Sequence, residues 1–166
     1  MTSGELMKAL EMQEEVLQFS HFTNADAWEL GSALVHEAKE RELTLGIQIR
    51  LNSGLIVFQH AFDEINCYNM QRLERKLNTV KIMEKSSLYM YMLLQKANET
   101  LEDLSLSDEN VGFYGGGFPI RLEDSVVIGG VAVSGIGHVQ DHDFLIKVLS
   151  RYLHVDEVPR IGAEKI

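Results

Sequence analysis

Cysteine is almost missing from this 166-residue sequence: Cys67 stands alone. A lone thiol closes no internal disulfide and builds no thiolate-rich zinc site. Such usage suits a reducing compartment, and the expected location is cytoplasmic. As a nucleophile Cys67 would need an adjacent base, and only His60 lies near it in the chain. Proline is scarce as well, with two residues, which argues against long rigid linkers. No stretch approaches the roughly 18–20 apolar residues that span a bilayer; the longest, Val126 to Val133, contains Gly129 and Gly130 and reads as a buried strand. The N-terminal residues lack the basic start and apolar core of a signal peptide. Positive charge is also short: 15 Lys and Arg face 25 Asp and Glu, a formal net charge of −10. A surface of that sign repels phosphate backbones, so neither nucleic acid nor membrane is an expected partner.

What is present resembles an ordinary globular composition, with 45% hydrophobic and 24% charged residues. The length suits one domain with a buried core. It is expected over residues 1–155, with 156–166 as a tail that frays or docks on a partner chain.

Periodicity gives the elements. Leu6, Ala9, Leu10, Val16 and Leu17 fall on one helical face, with Glu5, Lys8, Glu11, Glu14 and Glu15 mainly on the other. That helix is expected to stop near 20–22. Thr23-Asn24-Ala25-Asp26 has the form of a capping box and opens a second helix to about Arg41. Its inner stripe is Ala27, Leu30, Gly31, Leu34 and Ala38, with Trp28 packed at the edge. From Leu43 to Leu51 the period changes to two, a half-buried strand. Asn52-Ser53-Gly54 makes a hairpin loop. Leu55 to Phe62 follows as a strand apolar on both faces, expected near the sheet centre.

Met70, Leu73, Leu77, Val80 and Met83 mark a third helix, and Ser86 or Ser87 caps a fourth, to about Ala97. Phe118 to Leu122 and Val126 to Ser134 form a second strand pair, the last strand apolar enough to be central. Phe144, Leu145, Val148, Leu149 and Tyr152 mark the final helix. The order is α-α-β-β-α-α-β-β-α. The expected fold class is α+β, an antiparallel sheet of about four to five strands flanked by helices.

Four constellations could carry chemistry. Ser134-Gly135-Ile136-Gly137 precedes the last helix, where backbone N–H groups and the helix N-terminus can hold an anion. Alternatively glycine merely permits the turn, and Asp141 and Asp143 already supply negative charge at that end. Tyr114-Gly115-Gly116-Gly117-Phe118-Pro119 sets three glycines in a row, which implies close backbone approach to a ligand, a neighbouring subunit or another strand. Tyr114 and Phe118 could wall an aromatic ligand. Arg75 and Lys76, with Arg50, could pair with a ligand carboxylate or phosphate, or form ion pairs with the chain's own carboxylates. His138 and His142 stand four apart, a spacing that can share a metal on a helix. Because Gly137 precedes it, His138 is expected outside the helix, and no metal is expected. No catalytic residue is identifiable, for no triad is recognisable among the remaining histidines.

Glu14 to Phe22, Asp26 to Gly31, Gly116 to Ile120, Val133-Ser134-Gly135 and Asp141-His142-Asp143 together resemble an uncharacterised branch of the haem-degrading-domain superfamily, the GlcG/HbpS-like proteins. The likeness runs from about Glu14 to Leu153. It implies a GlcG/HbpS-like domain, often oligomeric, so a homo-oligomer is expected. Some members bind or degrade haem, so haem is the cofactor the resemblance suggests. Two positions depart from the branch: Glu74 stands where relatives carry Arg in an Arg-Arg-Lys run, and Lys85 where they carry His before the paired serines. Chemistry resting on those two residues in relatives is not expected here. The combined expectation is a small-ligand-binding protein for haem or another planar or anionic metabolite. The alternatives are an enzyme acting on that ligand and an assembly module without one.

Overall fold

Side-chain caps fix where four of the helices begin. The computed structural model describes residues 1–162. Thr2, Thr23 and Asn66 each accept a backbone N–H three residues on and receive a side chain in return, satisfying donors that a helix start would otherwise leave unpaired. They open α1 (Ser3–Val16), α2 (Asn24–Glu40) and α3 (Cys67–Met83). Ser86 caps α4 (Ser87–Ala97), accepting from Tyr89 N–H at 3.2 Å. The last helix, α5 (His138–Tyr152), starts after Gly137 without a side-chain cap.

The strands are β1 (Gly46–Leu51), β2 (Ile56–Ala61), β3 (Gly117–Arg121) and β4 (Val127–Ser134), all antiparallel in the order β2-β1-β4-β3. Helices and strands therefore follow the order expected, α+β with a four-stranded sheet. β2 is not central. Among the described residues it pairs with β1 alone, and Ile56 on its outer stretch is exposed. Apolar residues on both faces misled the reading, because one face of β2 meets α2 and the other is largely open. Trp28 is likewise 68% exposed, touching Phe58 edge-on at 5.9 Å rather than burying itself against the α2 stripe.

The two faces of the sheet differ in side-chain size, and this places the helices. Ile47, Ile49, Phe118, Ile120, Val131 and Val133 point to one face and pack under α2 and α5. The other face carries Gly46, Gly130, Ala132 and Gly117, and α3 lies close upon it. A Cβ at Gly130 would stand 3.0 Å from Val80 and 3.1 Å from Leu77. That close approach sets α3 against β3, β4 and the glycine segment that precedes β3.

α1 ends at Val16, short of residues 20–22. Phe19 N–H donates to Arg121 O at 2.8 Å, and Phe19 O accepts from Glu123 N–H at 2.8 Å. This bridge beside the end of β3 competes successfully for backbone groups a longer helix would use. The tail, expected to fray or to dock on a partner, lies on its own chain as far as it is described. Ile161 is 2% exposed among α1 and α4 residues, Pro159 O accepts from Gln13 Nε2 at 2.8 Å, and Arg160 grips Asp143. The rest of the tail lies outside the described residues. Among the described residues no helix is long and apolar enough to cross a membrane.

Candidate functional site

The sequence candidates converge at one end of the sheet, where α3, the 112–117 segment and the start of α5 meet. Tyr114 is the pivot. Arg72, Arg75 and Lys76, at the i, i+3, i+4 spacing that puts them on one side of α3, surround its ring. The Arg72 guanidinium lies 4.1 Å from the ring centroid and Lys76 Nζ 5.8 Å. Arg75 Nε donates to Tyr114 Oη at 3.2 Å, and this bond holds the Arg75 guanidinium above its usual range. Arg50 is elsewhere: its guanidinium bonds Asn78 Oδ1 at 2.7 Å under α3, and burial pulls its pKa down.

Lys76 is not available to a ligand. It is fully buried, and Nζ donates to Val133 O at 2.8 Å and Asp141 Oδ2 at 3.0 Å. Burial pushes the ammonium pKa down, and Asp141 opposes that shift. The same carboxylate fills the anion position ahead of α5, since Asp141 Oδ1 accepts Ile136 N–H at 3.0 Å. The Ser134–Gly137 turn thus carries its anion internally, on the chain's own aspartate. The Asp141 carboxylate stands where an external anion beside Ser134, Gly135 and Gly137 would sit.

The glycines are explained by contacts within the chain. A Cβ on Gly115 would collide with the His138 carbonyl oxygen. One on Gly116, whose φ is +121°, would stand 2.5 Å from Val133 O and 2.6 Å from Lys76 Nζ. Gly117 lies against the α3 backbone, and its N–H donates to Ser87 Oγ at 2.9 Å. A Cβ on Gly135 would collide with Thr44 O. Phe118 points into the opposite face of the sheet, buried in the α2–α5 core. It walls no cavity, because strand alternation turns it away from Tyr114's side.

His138 is the first residue of α5, not outside it, so His138 and His142 are one turn apart. They do not share a metal. His138 Nδ1 accepts Gly115 N–H at 3.0 Å, and its ring meets Tyr91 edge-on at 4.8 Å. In the neutral ring the proton then sits on Nε2, so neither nitrogen offers a free lone pair. Burial and nearby Lys76 lower its pKa. His142 is wholly buried, with Nε2 2.8 Å from Gln13 Oε1 and, among the described residues, no partner for Nδ1. The Gln13 amide already donates to Pro159 O, so its oxygen faces the ring and Nε2 is the donor. Burial pushes the His142 pKa down to about 3. Among the described residues no group of three His, Cys, Asp or Glu side chains is arranged to hold a metal ion.

Tyr114 also faces a cavity of about 570 Å³, walled by Tyr91, Leu94, Leu101, Val111 and Phe113 with Glu99 and Asp108 among its polar residues. The volume lies within the usual range for small-ligand sites. Of the residues singled out from sequence, Tyr114 alone lines it. Tyr91 and Phe113 were missed. Along α4, Met90 and Met92 are buried in packing, and Tyr91 both packs against the α1–α4 cluster and lines the cavity. Arg72 was missed too, although its spacing from Arg75 was the available signal.

The cavity's volume and its aromatic walls are of the kind that planar, mainly apolar ligands use. The iron of a haem placed there would find no histidine among the lining residues; the Tyr114 hydroxyl is an oxygen donor of a kind that haem iron accepts.

Residues 22–150 match the family model for haem degrading proteins of the HbpS-like type. A UPF0303 protein of Serratia proteamaculans is 36% identical over 148 residues, covering 89% of this chain and 91% of the relative. The crystal structure of Ybr137w superposes with a TM-score of 0.82 at 25% identity, covering 89% of both chains. The crystal structure of a PduOC:Heme complex superposes with a TM-score of 0.67 at 21% identity, covering 78% of this chain and 93% of that one, a likeness of fold.

Proposed function

This chain belongs to the HbpS-like haem degrading family, and from that premise we propose that it binds a planar, mainly apolar small molecule, with haem the first candidate, in the cavity beside Tyr114. The observation that carries this reading is the cavity itself: about 570 Å³ with Tyr91, Phe113 and Tyr114 in its walls. Aromatic faces favour a flat ligand. Tyr114 is held rigidly by Arg72 and Arg75, so little ordering is left to be done on binding. When bound, haem would supply an iron centre, and the Tyr114 hydroxyl is one lining oxygen that would serve as its ligand. The related PduOC domain crystallised with haem supports haem as the first ligand to try. Glu99 and Asp108 in the lining disfavour an anion placed against them, so the apolar part of the ligand rather than its charge drives entry.

Native mass spectrometry of freshly purified protein, before and after adding haem, tests this. One haem mass per subunit, lost in Tyr114→Ala, is the expected result. A chain that gains no mass after haem is added rejects the haem reading.

A second reading concerns assembly. We propose a homo-oligomer that uses the open edge of β2. Trp28, Leu55 and Ile56 are exposed there, and the edge strand has unpaired backbone groups that a second copy could cover. Sedimentation of wild type against Trp28→Ser checks it: a smaller species for the variant is expected, and identical species reject that edge.

A further inference from the structure

The sheet has two edges, and the chain treats them differently. At β3, Pro119 offers no N–H, and Phe19 bridges to Leu122 beside the strand's end. Both devices blunt an edge. β2 has neither proline nor a charged residue from Ile56 to Ala61, and no described residue pairs with its outer side. Phe62 N–H donates to Leu45 O at 3.1 Å. Strand alternation then turns the backbone groups of Phe58 and His60 toward β1. Those of Gln59 and Ala61 point outward, unpaired among the described residues.

α2 runs over this ribbon, packed on both β1 and β2. Gly31 brings it close, since a Cβ there would collide with the Phe58 ring. Between α2 and the strand edge lies a hollow of about 330 Å³ whose walls include Trp28, Ser32, Val35, His36, Lys39 and, from β2, His60. Their spacing puts the five helix residues on one stripe. Trp28 projects at its N-terminal end, and Lys39 lies at its C-terminal end. The walls carry one lysine and two histidines and, among the described residues, no carboxylate, on a chain of net charge −10. Two copies that repel one another elsewhere can approach here.

The geometry points to a twofold dimer in which β2 pairs antiparallel with β2 of a second copy about Gln59, joining two four-stranded sheets into one, while Trp28 of each copy enters the hollow of the other. This rests on the reading that the β2 edge assembles, and it fixes how. A dyad at Gln59 sets its outward N–H and C=O against those of the same residue in the second copy. Strands lie about 4.8 Å apart, so the dyad stands half that distance beyond β2. α2, seated over β1 and β2, then lies about 10 Å from its counterpart, the spacing of packed helices. The dyad runs the two helices antiparallel. Trp28 meets Lys39 of the second copy, ring against cation, and the small Ser32 meets Val35. The helix register agrees with the strand register. Gly31 lies on Phe58, and Lys39 shares a hollow with Phe62, which centres the stripe over Gln59 and His60.

Gln59→Cys, made together with Cys67→Ser, tests the dyad. The two introduced thiols would sit on Cα atoms about 5.5 Å apart, within disulfide reach. Mild oxidation should therefore link most of the chain into a dimer on a non-reducing gel. Ser53→Cys in the same background, exposed at the hairpin tip away from the dyad, should stay unlinked. Reduced Gln59→Cys should sediment as wild type does, and Trp28→Ser or Lys39→Glu should raise the dimer dissociation constant about tenfold or more. A monomeric wild type would leave the edge to a different partner and reject both the assembly reading and this dimer, as would a Trp28→Ser variant that assembles like wild type. Assembly that depends on Trp28 while Gln59→Cys fails to link, or while Ser53→Cys links as readily, overturns the twofold pairing and leaves the edge reading standing.

Discussion

Lys76 Nζ and Asp141 Oδ2 lie 3.0 Å apart, both buried, and join the middle of α3 to the first turn of α5. The pair is a device of the fold at the place where the sequence suggested a ligand site. Breaking one partner leaves the other charged and buried. Lys76→Met is expected to cost about 3–5 kcal/mol, read as a shifted urea midpoint at unchanged slope. Lys76→Met with Asp141→Asn should recover most of that loss, because asparagine keeps an oxygen for Ile136 N–H and carries no charge. A double variant no more stable than the single would show that the pair matters through packing instead.

Stability should depend on pH through two buried groups acting in opposite senses. Glu14 is raised from 4.5 to about 7 in the folded chain. The folded state therefore holds the Glu14 proton more tightly, and stability falls as pH rises from 4.5 to about 7. His142 is lowered from 6.5 to about 3. The unfolded chain protonates it first, so stability falls as pH drops from 6.5 toward 3. Each contributes about 1.4 kcal/mol per pH unit inside its window. Between 4.5 and 6.5 they offset one another. Denaturant midpoints across pH are expected to be flat there and to fall on either side. Glu14→Gln should abolish the fall above 6.5 and add about 3 kcal/mol at neutral pH.

Gly116 answers a different question, whether its glycine serves the fold. Gly116→Ala combines positive φ with a 2.5 Å approach to Val133 O, and is expected to cost about 3 kcal/mol. Gly4→Ala, in α1 with only Thr2 Oγ1 at 3.9 Å nearby, should leave thermal stability unchanged or slightly higher. Equal melting temperatures for the two variants would refute the intrachain explanation of the glycine run.

Tyr114→Phe separates wall from ligand. Losing the bond from Arg75 is expected to cost about 1 kcal/mol of stability, while the ring remains for Arg72 to cover. If Tyr114 meets haem iron, the variant should weaken haem binding and change its absorption spectrum but bind metal-free porphyrin as wild type does. Parallel loss for both porphyrins would point to the wall alone.

Capping boxes, alternation and helical stripes are local signals. Thr23 with Asp26, the Gly46–Leu51 alternation and the α5 stripe from Phe144 to Tyr152 were therefore legible, and with them the element order. The family likeness was legible for the same reason, since it rests on contiguous blocks. What could not be read was decided by which element lay opposite. β2 is an edge because no described residue pairs beyond it. Glu14 is buried because the α3–α4 junction covers it, and His138 is fixed because Gly115 N–H reaches its ring.

The candidate site divides along the same line. The sequence by itself determined that Arg75, Lys76, Tyr114 and the two glycine segments stand out. Only the tertiary structure decided their fates: Lys76 and Asp141 neutralise each other, the glycines admit neighbouring backbone, and Tyr114 alone of that set reaches a cavity. The physical reason is that ion pairing and steric contact act over a few ångströms in space. Lys76 and Asp141 are 65 residues apart in the chain, and only the fold brings them together.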